Sequence, residues 1–343
     1  MSIYMSWTGC GGFEVRSGRV NFAFDPYLFG DRLENAAPVF DYIFISHEHF
    51  DHCHPGTLRQ LCRGDRIKKV FVSPGCCDPN KPVAEKYGDA AFDRDLPITK
   101  FLDPDLVEVV YSSYLSHVGG EDRVFPSKGT LDLGPVQVEV IESGENQRPD
   151  LPTCGYLVTI KDLDVSFLHP GDLIEPYKAL EHLRGRVTYL IHMKMGVAEW
   201  GGEDKSDKLI QCLDAVQPEY VIPTHYRTDR ESDPIPHGTW PPDATDVGAY
   251  IESIRETVGD RAKVLPFTAG VEYEVEMPSK RVLWKWNWHR TWDLPPWREA
   301  KMRSKTAKAF QVPRMIHEGR CKSVFSSVVK RNFTRSKHEA KYS

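Results

Sequence analysis

The stretch Ser46-His47-Glu48-His49-Phe50-Asp51-His52-Cys53-His54-Pro55 carries the densest metal-binding chemistry in this sequence. Three histidines and an aspartate fall within six positions, in a chain of 343 residues that holds 13 histidines. On an extended loop alternate side chains turn to one side, so His47 and His49 can chelate one ion. Asp51 and His52 emerge on the following turn, where they can hold a second ion, as two-metal sites require. Such ions would lower the pKa of a bound water towards neutrality and polarise the bond it attacks. His54, just before Pro55, reads as the start of a helix rather than as a ligand.

The elements around this loop must hold it rigidly. It follows the apolar run Phe40–Ser46 and precedes a helical segment, Thr57–Arg63, which places it at the carboxyl end of a strand. Short β-branched and aromatic runs bounded by Gly, Pro, Asp or Asn predict strands at Val20–Asp25, Val39–Ser46, Lys69–Ser73, Val136–Glu142, Gly155–Ile160, Val165–His169, Val187–Ile191, Tyr220–Pro223 and Val271–Glu276. Leu209, Ile210, Leu213 and Val216 share one helical face, as do Val247, Tyr250, Ile251, Ile254 and Val258. Residues 136–169 read as consecutive antiparallel strands, and residues 39–73 as strand, loop, helix, strand. Both patterns together predict mixed sheets, not a doubly wound parallel one.

The loop resembles the His-x-His-x-Asp-His signature of the metallo-β-lactamase fold, an α+β four-layer αββα sandwich whose members are mostly metal-dependent hydrolases. Gly11-Gly12-Phe13 with Phe22-Ala23-Phe24-Asp25-Pro26-Tyr27 is similar to that fold's opening hairpin and Asp-Pro turn. Phe167-Leu168-His169-Pro170-Gly171-Asp172 is similar to the strand whose aspartate bridges two metals, and Val221-Ile222-Pro223-Thr224-His225-Tyr226 to the strand that delivers the last histidine. The likeness covers roughly residues 3–275 and is nearest the branch of L-ascorbate-6-phosphate lactonase and N-acyl-phosphatidylethanolamine phospholipase D. It implies His47 and His49 on the first metal, Asp51, His52 and His225 on the second, and Asp172 between them. Asp51 would also orient the nucleophile and take its proton.

One position departs from the family pattern. The family's third histidine for the first metal falls in a loop that reads Glu142-Ser143-Gly144-Glu145-Asn146 here and contains none. Glu145 is the first candidate to replace it, ahead of Glu142; His117 and an incomplete first site are the other options. Two divalent ions are expected, zinc first, with manganese or iron favoured if a carboxylate enters the site. His169 and His192 could orient ligands but read as packed, hydrogen-bonded histidines.

Composition sets the outer limits. The chain is 40% hydrophobic and 27% charged, as expected of a globular protein. No apolar run reaches the length of a transmembrane helix, and the first residues lack a signal-peptide pattern, so a cytoplasmic protein is expected. Eight cysteines without a Cys-x-x-Cys pair read as free thiols. The net charge of −5 hides an asymmetry: residues 280–343 hold 17 Lys and Arg against 4 Asp and Glu, leaving 27 against 45 for the rest. Residues 1–277 therefore read as the metal-binding domain and 278–343 as a basic extension, with its last part, from Arg331, expected to be disordered. Trp284, Trp286, Trp288, Trp292 and Trp297 interleave with Arg and Lys there, a pattern that suits an anionic partner or a cover over the acidic body.

The function expected is metal-dependent hydrolysis, by a metal-bound hydroxide, of a lactone, ester or phosphodiester. The alternative is a di-iron or manganese redox enzyme on the same fold. His49 stands where flavodiiron relatives carry a glutamate, which disfavours that alternative.

Overall fold

A computed structural model of the protein describes residues 2–9, 11–27, 39–49, 52–63, 67–77, 97–111, 129–143, 153–172, 177–192, 206–224, 247–267, 272–277 and 281–284. They form two sheets packed face to face, with helices on the outer sides.

The first sheet contains β1 (Ser2–Gly9), β2 (Gly12–Arg16), β3 (Asn21–Phe24), β4 (Tyr42–Ile45), β5 (Lys69–Val72), β6 (Val107–Val109), β14 (Glu272–Glu276) and β15 (Arg281–Trp284). Their order is β15-β14-β1-β2-β3-β4-β5-β6. Pairing is antiparallel from β15 to β3 and parallel from β3 to β6. The second sheet contains β7 (Thr130–Asp132), β8 (Val136–Ser143), β9 (Thr153–Ile160), β10 (Val165–His169), β11 (Tyr189–His192), β12 (Tyr220–Pro223) and β13 (Lys263–Val264), in the order β13-β12-β11-β10-β9-β8-β7. It is antiparallel from β7 to β10 and parallel from β10 to β13, so both sheets are mixed, as expected.

Alternation along each strand decides what is buried between the sheets. Ile3, Met5 and Trp7 of β1 and Phe13 and Val15 of β2 all turn inward to one core. Aromatic rings knit the layers: Phe22 meets Phe167 of the opposite sheet edge-on at 5.7 Å, and Phe44 meets Tyr156 at 5.2 Å. Helix α1 (Pro55–Leu61) covers the outer side of β3–β5 through Leu58 and Leu61, which pack with Ala23, Ile43, Ile45, Val70 and Val72. Helices α2 (Ser206–Val216) and α3 (Val247–Val258) pack on each other and bury Leu209, Leu213, Ile251 and Ile254 against the second sheet.

The strands depart from the sequence reading where side chains replace the ladder. Asp25, expected inside its strand, lies one residue beyond β3 with φ of 39°. Val187 and Thr188 precede β11; there the Ser166 N–H donates to the Thr188 hydroxyl and the Thr188 N–H to the Ser166 hydroxyl, in place of a backbone ladder with β10. The first sheet continues past residue 278 as β15, hydrogen-bonded to β14. The rest of the basic extension lies outside the described residues. All six described cysteines are free thiols.

Candidate metal centre

The parallel strands β3, β4 and β5 direct their carboxyl ends to one edge of the first sheet, and β10, β11 and β12 do the same in the second. The loop after β4 and the turn after β10 meet there. Two main-chain anchors clamp the loop before it reaches the histidines. The Tyr156 hydroxyl donates to the Ile45 carbonyl at 2.8 Å, and the Cys154 N–H donates to the Ser46 carbonyl at 2.9 Å. Burial holds the Tyr156 hydroxyl well above its ordinary pKa, so it remains a donor.

Alternation then sorts the loop as expected. His47 and His49 face each other, with His47 Nε2 2.9 Å from His49 Nδ1. Glu48 turns the other way and is buried against Gly75; a methyl group at Gly75 would lie 2.3 Å from Glu48 Oε2, so any larger residue there would force the Glu48 carboxylate to move. His52 returns to the same side, its ring 4.1 Å from that of His47. His54 accepts the Thr57 N–H at 3.1 Å and caps α1, the helix-start role read from the sequence.

Asp172 enters from the opposite sheet. Gly171 adopts φ of +64°, a left-handed turn that brings the next carboxylate over the loop. One oxygen of Asp172 lies 3.3 Å from His52 Nε2 and the other 3.8 Å from His47 Nε2, so the carboxylate sits between the two histidines. Ligand atoms of His47, His49 and Asp172 all lie within 4.8 Å of one another. Nitrogen and oxygen ligands at about 2.0–2.2 Å from one small cation stand about 3–4 Å apart, so this donor set fits a single divalent ion. His52 faces the other oxygen of Asp172 and stands beside this donor set rather than in it. Asp51, His225, Glu145 and His117 lie outside the described residues, as do the side chains of Glu142 and His192.

A residue that sequence reasoning placed only in the Asp-Pro turn, with no role at the metal site, organises this cluster. Asp25 is fully buried and accepts from the Ser46 N–H at 2.7 Å, the Ser46 hydroxyl at 2.6 Å and His52 Nδ1 at 2.8 Å. A carboxylate only accepts, so His52 carries its proton on Nδ1 and turns the lone pair of Nε2 towards Asp172. The Ser46 hydroxyl spends its only proton on Asp25 and must accept from His47 Nδ1, 2.8 Å away. His47 therefore also presents a bare Nε2. One carboxylate sets the tautomer of two candidate ligands, directly and through a hydroxyl. The signal available in the sequence was an aspartate closing an apolar strand and followed by proline.

His169 is a third support. Its Nε2 donates to the Gly11 carbonyl at 3.0 Å, and its Nδ1 accepts the Gly171 N–H at 3.2 Å, tying the first hairpin to the turn that carries Asp172. Burial lowers its pKa, against the opposing pull of Asp25, so it stays neutral. It is the packed and hydrogen-bonded histidine that the sequence reading described.

Two sheets closed by these loops define a class, and comparison with known proteins names it. The sequence matches the beta-lactamase superfamily domain over residues 4–225, more than half of the chain. The protein belongs to that superfamily. It is 26% identical over 269 residues to a UPF0173 metal-dependent hydrolase of Carboxydothermus hydrogenoformans, spanning 76% of this chain and 96% of that one. Among solved structures it is similar to Igni18, a metallo hydrolase of Ignicoccus hospitalis, with 15% identity and a TM-score of 0.49 over 81% of this chain and all of that one. It is also similar to CmlA, a diiron β-hydroxylase of Streptomyces venezuelae, with 17% identity and a TM-score of 0.46 over 83% of this chain and 54% of that one.

Proposed function

We propose that this protein is a metal-dependent hydrolase of lactones, other activated esters or phosphodiesters. The observation that carries the reading is the convergence of buried donor atoms from His47, His49 and Asp172. A divalent metal bound there would supply a water acidified towards neutrality and an electrophilic pull on the bond to be cleaved. His47, His49 and Asp172 would hold one ion, and His52, Asp172, Asp51 and His225 a second, with Glu145 the candidate to complete the first site. Asp25 and Ser46 keep His47 and His52 in the ligating tautomer. Asp51 would take the proton released when water adds to the substrate.

The test is elemental analysis of purified full-length protein, with rates on bis-p-nitrophenyl phosphate and on a lactone panel before and after chelation. Zinc or manganese with chelator-sensitive hydrolysis supports the proposal. Iron with an optical band and no hydrolysis would replace it with the redox alternative.

A further inference from the structure

Ser143 closes β8 at the edge where the metal loops meet. It pairs with Thr153 of β9 and accepts the Thr153 hydroxyl at its carbonyl. The residue is 2% exposed, and among the described residues its own hydroxyl has no hydrogen-bond partner. A buried hydroxyl in that state is costly, because it has given up water and gained no bond in return. Such an atom points to something that binds beside it.

Gly171 marks where the hydroxyl lies. A methyl group on Gly171 would stand 3.0 Å from Ser46 Cβ, 3.1 Å from Ser143 Oγ and 3.3 Å from Ser46 Oγ. Ser46 precedes His47 and Gly171 precedes Asp172, so Ser143 Oγ sits beside the backbone that presents both ligands. Strands two apart in a sheet are separated by roughly 10 Å, yet the tip of β8 reaches that of β10 across β9. The Cys154 N–H on the Ser46 carbonyl draws β9 to the same point. The ends of three strands of the second sheet therefore gather on the loop that carries His47 and His49. The neighbouring Ser46 hydroxyl is engaged elsewhere, since it donates to Asp25 and accepts from His47.

We propose that Ser143 turns its hydroxyl oxygen to the ion of His47, His49 and Asp172 and serves as a further protein donor to it. The inference rests on the metal-dependent reading of this site and deepens it. The donors are then two imidazole nitrogens, one carboxylate oxygen and one neutral hydroxyl oxygen. A hydroxyl oxygen adds no charge and is a harder donor than imidazole or thiolate, so it narrows the usual advantage of zinc over manganese. Four protein donors fill a tetrahedral zinc ion, whereas an ion that takes six ligands keeps room for water and substrate. A sulfur in place of the oxygen would reverse that preference.

The test is titration of full-length native protein, Ser143→Cys and Ser143→Ala with up to one equivalent of cobalt(II), read by absorption and by competition with a chelator. Serine and cysteine are close in size, so Ser143→Cys keeps the packing. Its thiolate on the ion should give a sulfur-to-cobalt charge-transfer band that the native protein lacks, and adding His49→Ala should abolish that band. Preference for zinc over manganese should rise at least roughly tenfold in Ser143→Cys, and cobalt affinity should fall at least roughly tenfold in Ser143→Ala. A direct donor counts for no less than the supporting partners whose loss costs roughly 10–100-fold. No new band in Ser143→Cys, a band that survives His49→Ala, or native cobalt affinity in Ser143→Ala overturns the proposal while the metal-dependent reading stands. Native protein that binds no cobalt overturns both.

Discussion

Replacing Asp25 by asparagine keeps the shape of the side chain and reverses the logic of the network it anchors. In the native protein Asp25 Oδ2 accepts from both the Ser46 hydroxyl and His52 Nδ1, at 2.6 and 2.8 Å. An amide nitrogen in that place donates. The Ser46 hydroxyl must then accept from it and offer its proton to His47 Nδ1, which moves the His47 proton to Nε2. His52 Nδ1 must likewise accept, which moves its proton to Nε2. Both nitrogens aimed at Asp172 lose the lone pair that a metal needs. Loss of one such supporting partner costs roughly 10–100-fold in metal affinity, so two altered ligands should cost about 10²–10⁴-fold, or about 3–5.5 kcal/mol. Turning the amide round would put the nitrogen against the Ser46 N–H, 2.7 Å from Oδ1, and leave two donors facing each other. The assay is competition between Asp25→Asn and a chelator for zinc, with long-range ¹H–¹⁵N spectra of the metal-free protein reporting each tautomer. Zinc affinity within about threefold of the native value, with both rings still protonated on Nδ1, would refute the reasoning.

Three further outcomes are expected. If Glu145 completes the first site, Glu145→Gln weakens one metal in a chelator titration while His117→Ala leaves stoichiometry unchanged; the opposite pattern moves the role to His117. The lowered pKa of His169 means that the unfolded chain binds a proton, below its ordinary pKa of 6.5, that the folded chain does not. Its stabilising contribution is complete above that value and is lost as pH falls towards the folded pKa, at up to about 1.4 kcal/mol per pH unit. Denaturant titrations should show a shallower slope in this window for His169→Asn. Burial pushes the thiols of Cys62 and Cys212 up to about 12 and that of Cys77 up to about 11, so at pH 8 these cysteines should react with iodoacetamide at least tenfold more slowly in folded than in unfolded protein.

Much of the site was legible because its chemistry is local. His47 and His49 announce themselves by alternation on one loop, and β10 (Val165–His169) and β12 (Tyr220–Pro223) coincide with the runs expected from sequence. Gly171 before Asp172 was readable as a turn, and its positive φ is what swings the carboxylate into place. Asp25 had no readable role, because its partners Ser46 and His52 are 21 and 27 positions away and meet it only through the parallel pairing of β3 with β4. Short edge strands were silent for a different reason. Val107–Val109 is only half-buried and Lys263–Val264 pairs two residues, too few for a period to emerge.

The central claim is that His47, His49 and Asp172 hold one metal ion, and His52 with Asp172 a second, on which hydrolysis depends. The most direct measurement is metal stoichiometry by mass spectrometry together with hydrolysis of bis-p-nitrophenyl phosphate and lactones, in the native protein and in His47→Ala, His52→Ala and Asp172→Ala. The sheets rest on apolar burial away from these loops, so each variant should keep the native circular-dichroism spectrum, bind less metal and lose activity. Native metal content with full activity in the His52 and Asp172 variants would contradict the account.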